Sequence, residues 1–419
     1  MQSRAQACLS HVMRVTELAI GIAIRQSVTT LAERICCGGR RRRCKACKPL
    51  SCRLPSVASG RNQTCGRRLT AMIVQGCGLT SVHMPFGILL GFVFLAGPVA
   101  IAKPLDVRAV NEAQWEATPA KSRALATRAQ ILLARSNFSP GEIDGNPGEN
   151  LDKAVAAFAA SQGVANKLTQ ELWQKLISTS DQPALVDYTI SDDDLRGPFA
   201  ERIPEKMEDM KDLPALPYRN PKEKISEKFH MSPDLLAALN PGQRFDTAGT
   251  RIVVANVSTL NLPKKVARIE VDKSGQALRA FAADGNLLAY YPATVGSQEK
   301  PAPSGTLKVT VVRKNPTYRY NPDYAFKGVR SKKPFTIKPG PNNPVGLAWI
   351  GLSGEGYGVH GTPDPSKISK AESHGCVRLT NWDALQLASV VSKGTPVEFI
   401  GEQKSPAASK HRRQQRAGH

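Results

Sequence analysis

The stretch Ser373-His374-Gly375-Cys376-Val377-Arg378-Leu379, with the earlier pair His360-Gly361, decides how this chain is interpreted. Cys376 lies two residues after one histidine and sixteen after another, and it is the only cysteine after Cys77. A structural disulfide needs a partner thiol, and the later part of the chain offers none. A lone thiol with histidines nearby is therefore a candidate nucleophile.

The sequence around this stretch predicts a β-rich domain. From Val266 onward the apolar residues follow a period of two, which is typical of strands. The pair Asp284-Gly285 predicts a hairpin turn, and helix returns only at 381–391. Short strands separated by turns indicate an all-β sandwich or barrel. The predicted strands are 267–271, 277–281, 287–291, 306–312, 347–352 and 395–400.

Several motifs in this domain resemble those of the L,D-transpeptidases, the YkuD-like family. They are Thr294-Val295-Gly296, Pro303-Ser304-Gly305-Thr306, Pro339-Gly340-Pro341-Asn342-Asn343-Pro344 and the block from His360-Gly361 to Arg378. The resemblance covers about residues 264–401 and implies a mainly β catalytic domain, a β-sandwich or barrel. Arg378 stands where the shorter form of the family motif has Asn, and Arg also occurs there in family members. Its guanidinium could hold a substrate carboxylate through two parallel bonds.

The resemblance implies a role for each residue of the site. Cys376 is expected to be the nucleophile and His360 the proton donor and acceptor, since an adjacent imidazole can take the proton of a thiol. The backbone carbonyl of Gly361 is expected to orient His360. The backbone amides of Gly375 and Cys376 are candidates for the oxyanion hole. The predicted substrate-binding residues are Ser373, His374 and Arg378.

The implied reaction is acyl transfer on peptidoglycan. The thiol attacks the third residue of a stem tetrapeptide, the terminal D-Ala leaves, and an amine resolves the thioester. The acceptor is another stem, giving a 3→3 cross-link, or an amine of an outer-membrane protein. Exchange with a D-amino acid and hydrolysis by water, the L,D-carboxypeptidase outcome, remain open. No metal or organic cofactor is expected, and a non-catalytic peptidoglycan-binding wall protein is the alternative from another class.

Two smaller modules are predicted before the catalytic domain. Residues 122–178 resemble a peptidoglycan-binding module of three helices around a Ser-Pro-Gly and Asp-Gly loop. Asp144 and Glu149 in that loop lack the ligand pattern of an EF-hand. Residues 188–256 resemble a LysM module, a small α+β unit of strand, helix, helix and strand, with an insertion at 196–222 that leaves glycan binding open. Ser232 is its predicted helix cap, followed by Pro233 at the first helical position.

The first hundred residues indicate export. Residues 84–102 combine an apolar run with an Ala-x-Ala site, which is typical of a secretory signal peptide, with a membrane anchor as the alternative. The predicted location is therefore the periplasm or cell wall. Residues 1–83 are interpreted as a disordered extension before a true start at Met72 or Met84. Cys44 and Cys47 lack a second matching pair for zinc.

The charge of the chain is strongly positive and unevenly distributed. The formal net charge is +22, and residues 1–83 contribute 14 Lys and Arg against 2 Asp and Glu. A nucleic-acid-binding protein would combine a basic patch with aromatic residues on a recognisable module, and no such module is evident, so no nucleic-acid partner is expected. Residues 402–419 are predicted to form a basic disordered tail.

Overall fold

The fold was analysed in a computed structural model of the chain. The predicted extension 1–83, the predicted signal 84–102, residues 404–419 of the predicted tail, and His374 lie outside the described residues. No helix among the described residues is long and apolar enough to cross a membrane. The described residues are 105–116, 122–257, 262, 264–297, 300–324, 329–371, 373 and 375–403.

The first part of the described chain is helical. Ser122 and Thr169 cap two of the helices, since each hydroxyl accepts a hydrogen bond from a backbone amide three residues later. Phe138 and Phe158 meet edge to face at 5.3 Å, and Trp173 is fully buried. Apolar packing thus holds the helical region (residues 122–178) together. The helices are α1 Val107–Asn111, α2 Arg123–Arg135, α3 Glu149–Ser161 and α4 Gln170–Ile177.

A two-stranded region (residues 185–256) follows. Its two strands pair antiparallel from Leu185 opposite Ala255 to Thr189 opposite Arg251, so the first strand begins three residues before the predicted boundary at 188. The Ser232 hydroxyl accepts a bond from the Leu235 amide at 3.0 Å and caps a helix there. The elements are β1 Leu185–Thr189, α5 Asp192–Leu195, α6 Met207–Met210, α7 Pro221–Lys228, α8 Pro233–Leu239 and β2 Arg251–Ala255.

The remainder, the sheet region (residues 264–401), is mainly β, as the sequence predicts. Several strands of two or three residues complete the sheet. The sequence pattern does not reveal them, because so few residues show no alternation. A single α-helix is found in this part of the described chain. The elements are β3 Arg268–Asp272, β4 Ala277–Phe281, β5 Leu287–Pro292, β6 Thr294–Val295, β7 Gly305–Lys314, β8 Tyr318–Tyr320, β9 Phe335–Ile337, β10 Ala348–Leu352, β11 Gly358–His360, β12 Val377–Arg378, α9 Asn381–Val390 and β13 Pro396–Ile400.

Nine of these strands form one sheet that nearly closes on itself. The order is β5-β4-β3-β13-β7-β10-β11-β12-β6, so β5 and β6 lie at opposite ends. Only Ala293 separates them in sequence, and the chain therefore passes from one end of the sheet directly to the other. The enclosed core is apolar and includes Val271, Ile350 and Leu387. This arrangement agrees with the predicted sandwich or barrel.

The three regions pack against one another through pairs of backbone hydrogen bonds. Phe138 joins the edge of β5, because the Ser139 amide donates to the Tyr290 carbonyl and the Tyr290 amide donates to the Asn137 carbonyl, both at 2.9 Å. Ile143 likewise bonds the segment before α8 through two bonds of 2.9 Å. The helical and two-stranded regions are therefore built into one packed unit with the sheet region.

The insertion at 196–222 also reaches the sheet region. The Leu216 amide donates to the Pro339 carbonyl at 2.9 Å, and the Asn342 amide donates to the Leu216 carbonyl at 3.0 Å. Gly340 lies between them with a φ of +143°, and a Cβ placed there would come within 2.0 Å of the Leu216 oxygen. The motif that begins at Pro339 is thus clamped by a segment more than a hundred residues earlier.

Candidate active site

The site is formed where β11 meets β12. These two short strands pair in parallel, with Val359 opposite Val377 and His360 opposite Arg378. Cys376 directly precedes β12, and its Sγ lies 3.4 Å from the carbonyl oxygen of Gly356, just before β11 begins. Local pairing therefore brings the predicted nucleophile and the predicted base to adjoining strands.

His360 is held in one orientation. Its Nδ1 lies 2.7 Å from the Gly361 carbonyl oxygen, the contact that the family resemblance implies. A carbonyl only accepts, so Nδ1 carries the proton and Nε2 keeps a free lone pair. The ring is 4% exposed and stacks on Trp349, with ring centres 5.6 Å apart. Burial, with the charge of Arg378, lowers the pKa of His360 to about 3 despite the bond to Gly361.

Cys376 is the only described cysteine, and its thiol is free. Burial raises the pKa of the Cys376 thiol, against the opposing effects of a backbone hydrogen bond from Gly358 and the charge of Arg378. A raised thiol pKa and a lowered imidazole pKa favour the neutral forms of both groups. Both shifts therefore favour a resting thiol and neutral imidazole over a thiolate and imidazolium.

The turn before Cys376 depends on glycine and serine. Gly375 has a φ of +94°, and a Cβ there would lie 2.9 Å from a ring carbon of Tyr357. The Ser373 hydroxyl donates to the Cys376 carbonyl at 2.6 Å, and the Ser373 amide donates to Gly296 at 3.1 Å. Ser373 is 1% exposed, so its observed contacts fix the turn. Its predicted contact with substrate stays a prediction.

Arg378 is the cationic group beside the thiol. It is partly buried, and burial lowers the pKa of its guanidinium, while Cys376, Asp364 and Tyr318 act in the opposite direction. The register places it opposite His360 on the neighbouring strand. Its charge therefore acts on both predicted catalytic groups, lowering the pKa of each.

Sequence reasoning missed two aromatic residues at the site. Trp349 pairs with His360 across β10 and β11 and covers one face of the imidazole. Tyr357 packs against Gly375 and against the core of the sheet. The strand prediction at 347–352 contained Trp349, but only the pairing of that strand with the His-Gly pair identifies its neighbour.

A separate cleft lies away from the site residues described above. It has a volume of about 940 Å³ and lies between α3 and the strands β4 and β5. None of the predicted site residues that the structure describes lines it. No group of three or more His, Cys, Asp or Glu arranged to hold a metal ion occurs in the described part of the chain.

Comparison with known proteins identifies the family. Residues 266–399 match the L,D-transpeptidase catalytic domain of the YkuD family. The L,D-transpeptidase YkuD of Bacillus licheniformis is 32% identical over 180 residues, which cover 42% of this chain and 92% of that relative. This chain therefore belongs to the L,D-transpeptidase family. It is an L,D-transpeptidase enzyme whose catalytic domain lies in the sheet region.

More distant relatives carry the same family name. The L,D-transpeptidase YbiS of Escherichia coli is 29% identical over 188 residues, which cover 43% of this chain and 60% of that protein. The solved L,D-transpeptidase of Mycobacterium smegmatis is 18% identical over 37% of this chain and 65% of that one, with a TM-score of 0.27. The family assignment rests on the sequence matches.

Proposed function

We propose that this enzyme transfers peptidoglycan stem peptides through a thioester on Cys376. The observation that carries the proposal is the pairing of β11 with β12, which sets Cys376 beside the strand that ends in His360. The bond from His360 Nδ1 to the Gly361 carbonyl leaves Nε2 as a base. A buried base at the end of one strand, with a free thiol directly before the adjoining strand, suits nucleophilic acyl transfer.

In the first step the Cys376 thiol passes its proton to Nε2 of His360 while Sγ attacks the carbonyl carbon of the third stem residue. The C–N bond to the terminal D-Ala then breaks. The imidazolium returns the proton to the leaving amine, and a thioester remains on Sγ. The raised pKa of the thiol and the lowered pKa of the imidazole favour proton transfer that accompanies the attack.

In the second step an amine acceptor attacks the thioester and gives a proton to His360. The thiolate leaves and regains that proton. The backbone amides of Gly375 and Cys376 are proposed to bind the oxyanion in both steps, each worth about 3 kcal/mol in a comparable enzyme. Arg378, with its charge beside Sγ, is proposed to bind the carboxylate of the donor peptide.

The role in the cell wall is also part of the proposal. We infer formation of 3→3 cross-links or attachment of a protein, after export directed by residues 84–102. The helical and two-stranded regions are proposed to hold peptidoglycan near the site, by analogy with the modules they resemble. Their tight packing on the sheet region supports a fixed delivery of substrate, since a mobile tether would place it less well.

The test is muropeptide analysis by mass spectrometry after purified sacculi are treated with the enzyme. Three proteins are compared: the wild type, Cys376→Ala and the surface control Glu112→Gln, whose exposed carboxylate pairs with Arg108 outside the helical and two-stranded regions. New cross-links between third residues with the wild type and Glu112→Gln, and none with Cys376→Ala, are expected. Shortened stems without dimers or exchanged residues would indicate a hydrolase. Cross-links that survive Cys376→Ala would overturn the thioester mechanism.

A further inference from the structure

The first turn of α9 is the point at which the sheet region meets both earlier regions. This turn begins five residues after Cys376, and three consecutive side chains in it contact residues outside the catalytic domain. The contacts are Asn381 Nδ2 with both carboxyl oxygens of Glu227 at 2.9 and 3.2 Å, Trp382 stacked on His230 at 5.0 Å, and Asp383 Oδ2 with the Ser139 hydroxyl at 2.9 Å.

Asn381 connects the contacts in the first turn of α9 to the backbone around Gly361. Its side chain is 1% exposed. Its Oδ1 accepts a bond from the Leu347 amide at 3.1 Å, and its Nδ2 also donates to the Pro341 carbonyl at 3.2 Å. A Cβ added to Gly361 would lie 2.3 Å from Oδ1, so the Asn381 amide lies directly against the Gly361 backbone.

Gly361 is in turn the residue that orients His360. Its carbonyl fixes the tautomer of the imidazole through the 2.7 Å contact with Nδ1. The Gly361 amide donates to the Ala348 carbonyl at 3.2 Å, and the Asn381 amide packs against the same residue, so both contacts help to fix that carbonyl. Glu227 supplies the shortest hydrogen bond that Nδ2 of Asn381 makes. A continuous set of contacts therefore runs from Glu227 through Asn381 and Gly361 to His360.

We propose that Glu227, from the two-stranded region, is a positioning residue for the catalytic imidazole of His360. The two-stranded region is then a structural component of the active site, in addition to any contact it makes with the wall. The inference rests on the proposed role of His360 as the base. Without the Glu227 carboxyl group, the Asn381 amide loses its shortest hydrogen bond and is held by Leu347 and Pro341 alone. A displacement of about 1 Å that starts far from the chemistry can slow a reaction about a hundredfold.

The surroundings of Glu227 indicate which replacement keeps the contact. The Tyr218 hydroxyl donates to its Oε2 at 3.3 Å, and the nearby carboxylates are Glu223 and Glu142. Burial, with these like charges, raises the pKa of Glu227 to about 8, so the group is mostly a neutral acid at pH 7. Glutamine has the same shape, no charge and a carbonyl that can accept from Asn381. Glu227→Gln is therefore the conservative variant and Glu227→Ala the disruptive one.

The experiment compares Glu227→Ala, Glu227→Gln and the exposed control Glu112→Gln in the full chain. It measures kcat and KM on a disaccharide-tetrapeptide donor with an amine acceptor. It also measures the rate at which iodoacetamide alkylates Cys376 at pH 7.5, followed by mass spectrometry of the peptide that contains it. Glu227→Ala is expected to lower kcat about tenfold with KM within about twofold, and to slow alkylation. Glu227→Gln and Glu112→Gln are expected to remain near the wild type.

A second variant protects the test against misfolding. Asn381→Ser removes the bond to Glu227 together with those to Leu347 and Pro341, so adding Glu227→Ala to Asn381→Ser is expected to cause no further loss of kcat. Additive losses, or equal losses in the Ala and Gln variants, would overturn the inference. If the wild type does not turn over the donor, the proposed function fails, whereas the alkylation rates still report whether Glu227 acts on the site.

Discussion

Asp383 gives a prediction about stability that can be worked out from its surroundings. This carboxyl group is 3% exposed in the first turn of α9, where its Oδ2 accepts the Ser139 hydroxyl and its own amide donates to the Thr380 hydroxyl. Burial raises its pKa from 3.8 to about 7, against the opposing effect of side-chain hydrogen bonds from Thr380 and Ser139 to the carboxyl group. The change we consider is Asp383→Asn, which keeps an acceptor for Ser139 and removes the ionisable group.

The direction in which stability changes with pH follows from proton binding. The folded state keeps the proton of Asp383 up to about pH 7, whereas the unfolded chain loses it near pH 4, so the unfolded state binds fewer protons between these values. The free energy of unfolding therefore falls as the pH rises through this window. Three pH units at about 1.4 kcal/mol each set a ceiling of about 4 kcal/mol. The helix N-terminus favours the charged form, so we expect about 2 kcal/mol.

The assay is urea unfolding of the wild type, Asp383→Asn and the exposed control Asp187→Asn at pH 4.5 and pH 8. At pH 4.5 Asp383→Asn should match the wild type, because the native carboxyl group is still protonated. At pH 8 it should be more stable than the wild type by about 2 kcal/mol. An Asp383→Asn variant whose stability changes with pH as steeply as that of the wild type would refute the reasoning.

Three further predictions concern the clamp and the site. Gly340→Ala should displace Leu216 and break two backbone hydrogen bonds, which should lower the free energy of unfolding by about 2 kcal/mol. Thermal unfolding measures this change, and a loss under about 0.5 kcal/mol would contradict the prediction. Trp349→Leu should uncover the imidazole and raise the pKa of His360 from about 3 toward its ordinary value. An unchanged pKa in an NMR titration of His360 would show that stacking on Trp349 does not lower it. Alkylation of Cys376 by iodoacetamide should keep accelerating above pH 8.5, whereas a plateau near pH 7 would reveal a thiolate–imidazolium pair.

The sequence predicted those features that depend on local pattern. The alternation at 277–281 and the turn at Asp284-Gly285 gave a strand and a hairpin that the structure confirms. The strands β6 and β12 were missed because two residues show no period, yet their pairing places Cys376. Local pattern cannot give such pairings, since they are decided by contacts between distant parts of the chain.

The same limit explains the parts of the site that were missed. The motif identified His360 and Cys376, and the register puts their strands side by side. Trp349 and Glu227 carry no motif, because their importance comes from the residues they face. From the sequence alone, the insertion at 196–222 is a departure from the LysM pattern that leaves glycan binding open. In the structure Leu216 from that insertion clamps the loop at Pro339, a role that only the tertiary contacts reveal.

The bridge between Phe138 and β5 has a consequence for the behaviour of the enzyme in solution. The end strand of a sheet exposes amide and carbonyl groups that can pair with a second molecule. Here the residues on either side of Phe138 occupy the two groups of Tyr290, and the Tyr290 ring is buried in the same apolar cluster as Phe138. A catalytic domain cut off at residue 264 would lack Phe138 and would expose this edge together with the apolar surface that Phe138 covers. Such a fragment should associate edge to edge and lose solubility, even though every residue of the predicted catalytic site that the structure describes is still present.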